Sequence, residues 1–260
     1  MLLDHFGRPW TGYRKVRKGV KKRISRHMQE IGARDMGAYL ARVDADPAIR
    51  KECLRRMTIS ISRFFRDRQL WNVLRDSVLP DLIARGMKTL RVWSAGCAGG
   101  EEPYSFCITW EEIRSRFGRV PTLDLLATDT NPENLERAQK GIYTRGSLKE
   151  VEASILRAWF DEKKPGKSYR IKPALKENIT WKIHNLLDDP PDRRFHFIFL
   201  RNNLLTYYEW KIRTEAFRRI TGRLVDLGYL VIGSHETVPP ETDAFTRLTA
   251  SPHLYRKRTR

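Results

Sequence analysis

The stretch that decides the fold is residues 90–105, which read LRVWSAGCAGGEEPYS. Its first part, 90–95, is a short apolar run that predicts a buried strand. Three glycines follow this run, and the apolar spacing after them predicts a helix over 101–117. Glycines let the backbone come close to a ligand, and open α/β sheets bind ligands at the carboxyl ends of their strands. The stretch therefore predicts a strand, a glycine turn and a helix that together bind a ligand.

The glycines and acids of this turn argue against a bound dinucleotide. The glycines fall as G-x-x-G-G rather than G-x-G-x-x-G, and Glu101 and Glu102 would repel a pyrophosphate. The next predicted strand, 123–128, is followed by Asp129, where a carboxylate usually holds ribose hydroxyls. Asp129 could instead cap the helix that starts near Pro132. Together, the turn and Asp129 favour a ribose-bearing cofactor without a pyrophosphate, and S-adenosylmethionine fits that description.

The composition is that of a globular protein with one large or two modest domains: 260 residues, 40% hydrophobic and 31% charged. We expect no membrane insertion, because no apolar run reaches membrane-spanning length and no secretory signal opens the chain. The three cysteines are too few and too scattered for a disulfide framework or a zinc site, and they favour a reducing, cytoplasmic setting. The net charge of +19 predicts an acidic partner: nucleic acid, anionic lipid or a carboxylate-rich protein.

Residues 10–39 are predicted to form a helix with a strongly basic outer face. Tyr13, Val16 and Val20 begin an apolar stripe that has helical spacing. The basic residues between the stripe positions are Arg14, Lys15, Arg17, Lys18, Lys21, Lys22, Arg23 and Arg26. Such a face usually serves only solubility, but this one carries no compensating acids. We therefore interpret it as a binding surface for an acidic partner.

A regular alternation of strands and helices begins after a boundary near residues 70–88. It predicts an α/β fold with a parallel sheet and crossover helices, preceded by an N-terminal all-helical domain. The predicted domains are 1–75 and 76–260, and the second contains a small insertion at about 143–175. The other expected strands are 179–184, 195–200, 228–234 and 253–258, and the other expected helices are 36–43, 48–57, one whose apolar spacing runs from 71 to 82, 132–140, 148–160 and 209–225.

Residues 58–67 predict an extended segment ahead of the first strand. Ile59 and Ile61 alternate with serines, which is the period of a strand. The aromatic pair at 64–65 would anchor this segment, and Arg66 would then point towards a site. A surface linker with two buried aromatic residues would show the same pattern.

Asparagines follow the ends of two predicted strands, at position 185 and at positions 202–203. Asparagine in such a loop can hold an adenine edge or an amino-acid head group, or it can satisfy loop backbone. Because several strand ends meet at one edge of a parallel sheet, we favour ligand binding.

The chain also resembles a known protein family, and six stretches carry the resemblance. They are S-I-S-R-F-F-R-D at 60–67, V-W-S-A-G-C-A-G-G-E-E-P-Y-S at 92–105, A-T-D-T-N at 127–131, A-Q-K-G-I-Y at 138–143, N-L at 185–186 and F-I-F-L-R-N-N at 197–203. In this order they resemble the chemotaxis-receptor (CheR-like) methyltransferases, which methylate receptor glutamates with S-adenosylmethionine. The resemblance covers about residues 10–257. It implies an N-terminal helical domain followed by a Rossmann-like methyltransferase domain with a small β-rich insertion.

The resemblance also implies the site residues. The cofactor pocket would consist of Ser60, Ser62, Arg66, Ala95, Gly96, Glu101, Asp129, Asn185, Leu186, Asn202 and Asn203. The family usually has asparagine and threonine where this chain has serine at 60 and 62. The family's tyrosine near the transferred methyl group falls in direct register on Thr206, and Tyr207 is one place further on. Arg66 and Tyr207 are the expected catalytic residues, and no metal is expected.

Three functions are consistent with these residues. The first is methyl transfer to glutamates of a chemotaxis-type receptor, giving glutamate methyl ester and S-adenosylhomocysteine. Its partner would be a glutamate-rich helical bundle, contacted by the basic helix 14–26. The second is an RNA or small-molecule methyltransferase on the same fold, which the charge favours but for which no base-stacking motif or added RNA-binding module is present. The third is a non-catalytic adaptor, against which the intact glycine turn and its acids argue. The oligomeric state stays open.

Overall fold

A computed structural model describes residues 1–60, 62–240 and 243–259 of the chain. The chain divides into two compact units. The first unit contains residues 1–60 and 206–213, and the second contains the described residues of 61–205 and 214–260. Ile61, one of the two isoleucines of the alternating segment, lies outside the described residues.

The first unit is built from helices, as the sequence predicts. They are α1 (Leu2–His5), α2 (Trp10–Tyr13), α3 (Arg17–Glu30), α4 (Met36–Ala45) and α5 (Pro47–Met57). Buried side chains of α2 to α5 form its core, among them Tyr13, Ile24, Tyr39 and Met57. Among the residues that the structure describes, every helix is too short or too polar to span a membrane.

The single helix expected over residues 10–39 is wrong, because the chain leaves the helical conformation twice within that range. α2 ends at Tyr13 in a tight turn, in which Val16 N donates to the Tyr13 carbonyl at 3.0 Å. α3 ends at Glu30, and Gly32 follows with a φ of +66°, which suits glycine after a helix. The apolar stripe and the basic residues of this range are therefore carried mainly by α3.

The division between the units falls earlier than the domain boundary expected at residues 75–76. A helical segment over 68–84 belongs to the second unit. Its apolar side chains are buried with those of the sheet, where Trp71 stacks on Phe199 with ring centroids 5.9 Å apart. This packing explains why the segment joins the second unit. The segment consists of α6 (Arg68–Val73), a π-helical turn (Leu74–Val78) and α7 (Leu79–Ala84).

Within its described residues, the second unit contains a seven-stranded sheet and a three-stranded sheet. The strands are β1 (Thr89–Ala95), β2 (Thr122–Asp129), β3 (Ile142–Thr144), β4 (Phe160–Lys164), β5 (Ser168–Ile171), β6 (Ile179–Ile183), β7 (Phe195–Leu200), β8 (Leu224–Ile232), β9 (Phe245–Arg247) and β10 (Leu254–Lys257). The larger sheet has the order β6-β2-β1-β7-β8-β10-β9. The strands from β6 to β8 in this order are parallel, and β10 and β9 are antiparallel to their neighbours. The expected α/β fold with a Rossmann-like sheet is confirmed.

Among the described residues, five α-helices follow β1; the sequence predicted all of them except the short helix over 204–207, and it gave two of the others different bounds. The five are α8 (Glu101–Phe117), α9 (Pro132–Lys140), α10 (Ala153–Trp159), α11 (Leu204–Tyr207) and α12 (Trp210–Thr221). The helix expected over 209–225 ends earlier, because β8 already begins at Leu224. The helix expected over 148–160 starts later, because Arg145–Leu148 forms a 3-10 turn. Strands β3, β5 and β4 form the small antiparallel sheet within the expected insertion.

Candidate active site

The carboxyl ends of β1 and β7 lie at the point where the strand order of the sheet reverses. From β1 the chain continues to β2 on one side, while β7 pairs with β1 on the other side. Open α/β sheets bind ligands outside the strand ends at such a point. The residues that directly follow the five parallel strands are Gly96, Thr130, His184, Arg201 and Gly233. The loops that begin at these residues form the candidate site.

The glycine turn after β1 is fixed by backbone hydrogen bonds and by Asn203. Gly96 N and Cys97 N both donate to the Thr128 carbonyl, each at 2.8 Å, which connects the turn to β2. Gly96 has a φ of +83°, and a Cβ atom there would overlap the side-chain amide of Asn203. That amide donates to the Ala95 carbonyl at 2.6 Å. Glycine is therefore required at position 96 by its backbone conformation and by the close approach of Asn203.

Asp129, at the end of β2, is buried and holds the same turn. One carboxylate oxygen accepts from Ala98 N at 2.9 Å, and the other accepts from Asn131 N at 2.9 Å and Asn134 Nδ2 at 3.1 Å. The N-cap of α9 is Asn131, whose side chain accepts from Glu133 N at 3.0 Å. Burial raises the pKa of the Asp129 carboxyl above its ordinary value. A carboxylate accepts about four hydrogen bonds, so a bond to a ribose hydroxyl stays a prediction that this geometry permits.

The two acids that open α8 have different surroundings. The Glu101 side chain is fully buried and pairs with Arg137 of α9, and its Oε2 has no hydrogen-bond partner among the described residues. Glu102 accepts from Ser94 Oγ at 2.7 Å and from Arg201 Nη1 at 3.2 Å. Burial raises the pKa of both carboxyls. Ser94 lies on β1 and Arg201 follows β7, so Glu102 is the acid that contacts both strands at the reversal point.

Arg66 lies in a turn and not in the extended segment expected over 58–67. The residues on either side of it, Phe65 and Asp67, have left-handed backbones with φ of +51° and +63°. Phe65 N donates to Ser105 Oγ at 2.9 Å. Ser105 belongs to α8, so the turn is anchored on the helix that follows the glycine turn. The side chains of both phenylalanines are buried, which is the anchoring role expected for them.

A further carboxylate, Glu236, joins the loops after β7 and β8. Its Oε2 accepts from Asn202 N at 2.9 Å and from Gly233 N at 2.7 Å. Asn202 has a left-handed backbone with φ of +55°. Since Asn203 bonds to Ala95, the predicted pair of asparagines lies next to the glycine turn. Their contact with a cofactor stays a prediction.

The other predicted pocket residues of the second unit are Ser62, Asn185 and Leu186. Ser62 is half-buried and Leu186 is buried. The Asn185 side chain accepts a bond from the backbone two residues further on, which is the loop role weighed for it. The preceding residue, His184, donates its N–H to the Asp129 carbonyl at 3.1 Å. The loop after β6 therefore begins beside Asp129, and its cofactor contacts stay a prediction.

Ser60 and Tyr207 belong to the first unit. The Tyr207 ring packs edge-on against Tyr13, with ring centroids 5.2 Å apart, and its carbonyl accepts from Arg8 at 3.3 Å. Thr206, which is in direct register with the family tyrosine, belongs to the same unit. The roles that the resemblance implies for these residues stay predictions.

Sequence reasoning missed the two arginines that pair with the acids of α8. Arg201 lies inside the matching stretch 197–203, and Arg137 directly precedes the stretch 138–143. A signal for them existed, because a buried carboxylate requires a counter-charge and hydrogen bonds. The sequence alone does not show which of the many arginines supplies it.

The cations around α3 form an exposed surface, which we call the basic face. Between His5 and Gln29 the sequence contains no acidic residue. Arg23, which was expected in this face, instead donates to the carbonyls of Arg56 at 2.7 Å and Thr58 at 3.1 Å, where α5 ends. The exposed members are Arg14, Lys15, Arg17, Lys18, Lys21, Lys22 and Arg26.

Residues 60–253 match the family described as CheR methyltransferase, SAM binding domain. The matched range contains the glycine turn, Asp129 and the ends of all five parallel strands. It covers about three quarters of the chain.

Curated proteins from several bacteria are similar over most of the chain. A 104.1 kDa protein from the hypE 3' region of Rhodobacter capsulatus is 33% identical over 238 residues, which are 91% of this chain and 25% of that protein. Chemotaxis protein methyltransferase 1 of Pseudomonas aeruginosa is 30% identical, over 90% of this chain and 87% of that protein. A chemotaxis protein methyltransferase of Listeria innocua is 33% identical, over 84% of this chain and 81% of that protein. The chain thus spans a quarter of the first relative and most of the other two.

Proposed function

The chain belongs to the CheR methyltransferase family, and we propose that it transfers the methyl group of S-adenosylmethionine to glutamate carboxylates of a chemotaxis-type receptor. Family membership makes it an S-adenosylmethionine-dependent methyltransferase. The products of the proposed reaction are a glutamate methyl ester and S-adenosylhomocysteine. The observation that carries the proposal is the meeting of the glycine turn, Asp129 and Glu102 at the strand ends. The relatives from Pseudomonas aeruginosa and Listeria innocua are named chemotaxis protein methyltransferases, which supports a function in chemotaxis.

The donor set at the strand ends fits S-adenosylmethionine. Gly96 lets Asn203 approach the glycine turn, and Asp129 keeps room for one more hydrogen bond. Glu101 contributes a buried carboxylate oxygen with no partner among the described residues. Such carboxylates suit a cationic, hydroxyl-rich molecule and disfavour a pyrophosphate. When bound, S-adenosylmethionine supplies an electrophilic methyl group on its sulfonium.

We assign the parts of the cofactor to the loops that the structure brings together. Asp129 holds the ribose hydroxyls, and the backbone at 95–96 together with the acids at 101 and 102 receives the cationic amino-acid part. The loops at 185–186 and 202–203 supply amide and backbone groups for the adenine edge or the amino-acid head group. Ser60 and Ser62 keep the pocket roles that the resemblance implies.

The acceptor needs orientation more than it needs a base. A glutamate carboxylate is ionised near neutral pH, so no residue has to remove a proton from it. Arg66 is suited to hold that carboxylate through two parallel hydrogen bonds. Holding the nucleophile in line with the methyl group and excluding water supplies catalysis by proximity. Tyr207 keeps the catalytic role that the resemblance implies.

The basic face is the surface that we assign to the receptor. A glutamate-rich helical bundle is complementary in charge to the seven exposed cations of α3 and of the turn that precedes it. Complementary charges at the rim of an interface raise the association rate and orient the partners, without choosing which glutamate reacts. We place the reaction in the cytoplasm, where the three free, buried cysteines stay reduced.

Two measurements test this function. Calorimetry with S-adenosylmethionine tests cofactor binding, and a screen with methyl-labelled S-adenosylmethionine tests the acceptor against receptor cytoplasmic fragments and total RNA. We expect saturable binding and label in the receptor fragment. Label in RNA, which the net charge of +19 would favour, would replace the proposal with RNA methylation. Binding without transfer to either acceptor would indicate an adaptor.

A further inference from the structure

A buried charge cluster follows β7, and the roles assigned above leave its arginine, Arg201, unused. It consists of Arg201, Asp67 and Glu102, and we call it the Arg201 cluster. The side chains of these residues are 3%, 26% and 13% exposed. A cation this deeply buried is costly unless its hydrogen bonds are well made. The bonds that Arg201 makes therefore indicate what the cluster does.

Arg201 contacts the Arg66 turn at two points and α8 at one. Its Nη2 donates to Asp67 Oδ2 at 2.5 Å and to the Arg66 carbonyl at 3.0 Å. Its Nη1 donates to Glu102 Oε2 at 3.2 Å. The same Arg66 carbonyl accepts from Trp71 Nε1 at 2.9 Å. The backbone of Arg66 is thus held by two donors from different parts of the second unit.

The turn needs such support, because its backbone is strained. Phe65 and Asp67 are left-handed although neither is glycine. Such residues persist only where the surrounding structure fixes them. A guanidinium can bond to three acceptors from one rigid plane, whereas the ammonium of lysine is a point charge on a flexible stem. The three acceptors around position 201 therefore favour arginine over lysine there.

We propose that Arg201 is a positioning residue that fixes the turn over residues 64–67, so that the Arg66 side chain is in place before the acceptor arrives. The contribution to methyl transfer rests on the proposed role of Arg66. The fixing of the turn does not rest on it. A site that is arranged in advance loses less entropy when its substrate binds, and its geometry is more exact. Arg201 thus affects methyl transfer only through the position of Arg66.

The first test observes the turn directly. The side-chain N–H signal of Trp71 in a ¹⁵N spectrum, assigned by its loss in Trp71→Phe, reports the bond to the Arg66 carbonyl. Arg201→Lys should move or broaden that signal while the protein remains folded. The matched control is Arg193→Lys, since Arg193 bonds to both oxygens of Asp124 at 3.2 and 3.0 Å on another part of the same unit. An unchanged Trp71 signal in Arg201→Lys would overturn the proposal.

A second variant covers the case in which Arg201→Lys does not fold. Asp67→Asn removes the charge of the most exposed member and leaves the Arg201–Glu102 pair intact. It should move the Trp71 signal in the same direction by a smaller amount. No movement in Asp67→Asn would likewise contradict the proposal.

The second test asks whether Arg201 acts through Arg66. Arg201→Lys should lower kcat on a protein substrate about tenfold or more when S-adenosylmethionine is saturating, a condition under which a change in cofactor affinity through Glu102 does not affect the rate. The double variant Arg66→Ala/Arg201→Lys should be no slower than Arg66→Ala alone, because coupled residues do not add. Additive losses would show that Arg201 acts by another route and would overturn the positioning role. Full activity in Arg66→Ala would refute the proposed function of Arg66 and would leave the Trp71 test standing.

Discussion

The charges at the strand ends and the charges of the basic face are arranged in opposite ways. At the strand ends Arg201 is almost completely buried and contacts two carboxylates, and Glu101 pairs with Arg137. Around α3 seven cations are exposed, and the sequence from His5 to Gln29 contributes no acid to offset them. From this contrast we expect that the first set holds the geometry of the proposed site and that the second set contacts the proposed partner.

The two arrangements also differ in their response to salt and mutation. Removing one member of a buried pair leaves an uncompensated charge and is strongly destabilising. An exposed cation contributes little to stability and is screened over about 8 Å at physiological ionic strength. Stability should therefore depend on the strand ends, and salt sensitivity should depend on the basic face.

The largest effect is expected from Arg66→Ala, which removes the group proposed to hold the acceptor carboxylate. Turnover should fall roughly 100-fold, since orientation of the reactants is the main source of catalysis. The thermal unfolding temperature should change little, because the turn is held by the Arg66 carbonyl and by Asp67, which the substitution retains. Steady-state kinetics on a verified substrate and thermal unfolding check both points. Unchanged turnover would remove Arg66 from the site.

The next largest effect is expected from Asp129→Ala. Affinity for S-adenosylmethionine should fall by about 1–3 kcal/mol, the cost of lost hydrogen bonds to a charged group. Stability should fall as well, because three donors lose their acceptor, and one of them, the side-chain amide of Asn134, is buried. The matched control is Asp124→Ala on the same strand, where the carboxylate pairs with Arg193. Calorimetry that finds wild-type affinity in Asp129→Ala would limit Asp129 to its structural role.

The two acids of α8 offer a sharper comparison within the strand ends. Glu101→Gln and Glu102→Gln should both weaken S-adenosylmethionine binding. Of the two, Glu102→Gln should weaken it more, because Glu102 contacts the ends of both β1 and β7. Calorimetry on the two variants measures the difference. A larger loss in Glu101→Gln would show that the acid paired with Arg137 is the one that contacts the cofactor.

A smaller effect is expected from reversing Lys18, Lys21 and Lys22 to glutamate. The apparent KM for a protein substrate should rise and its salt dependence should flatten, because rim charges act on association. Affinity for S-adenosylmethionine should not change. Reversing Lys163, Lys164 and Lys167, which are exposed in the second unit, controls for net charge. Unaltered methylation kinetics at low salt would show that the basic face serves only solubility.

The smallest effect concerns pH. Because burial raises the pKa of Glu101, the folded chain retains a proton that the unfolded chain has lost. Its contribution to stability is complete below the ordinary pKa of a glutamate and is lost as the pH rises through the raised pKa. Glu101→Gln should therefore flatten the fall of unfolding free energy over that range. Denaturant titrations at several pH values give the comparison, and identical profiles would contradict it.

Local patterns in the sequence predicted much of the second unit. An apolar run followed by glycines predicted β1 and α8, and the bounds of α9 were predicted as they occur. Contacts between distant segments were not predictable in this way. Residues 206–213 join the first unit partly because Glu209 N donates to the Gly7 carbonyl at 3.0 Å, and no local pattern contains that bond.

The candidate site, too, could be predicted from local sequence patterns only in part. The spacing placed Glu101 and Glu102 together at the start of α8, and the resemblance selected Glu101. The surroundings of these two acids depend on Arg137 and Arg201, which come from other elements. Arg23 is a further case, because its helical position predicted a place in the basic face. Acceptor carbonyls at the end of α5 turn it away from that face.

The central claim is that the strand-end site transfers a methyl group to protein carboxylates, and the bond that forms can be identified chemically. Receptor cytoplasmic fragments and total RNA are offered together to the protein with methyl-labelled S-adenosylmethionine, and the products are treated with mild alkali. A glutamate methyl ester releases methanol under these conditions, whereas methylated bases and amines keep their label. We predict label in the receptor fragment that alkali releases as methanol, and Asp129→Ala should reduce it. Label that stays with RNA, or that resists alkali on the protein, would contradict the account.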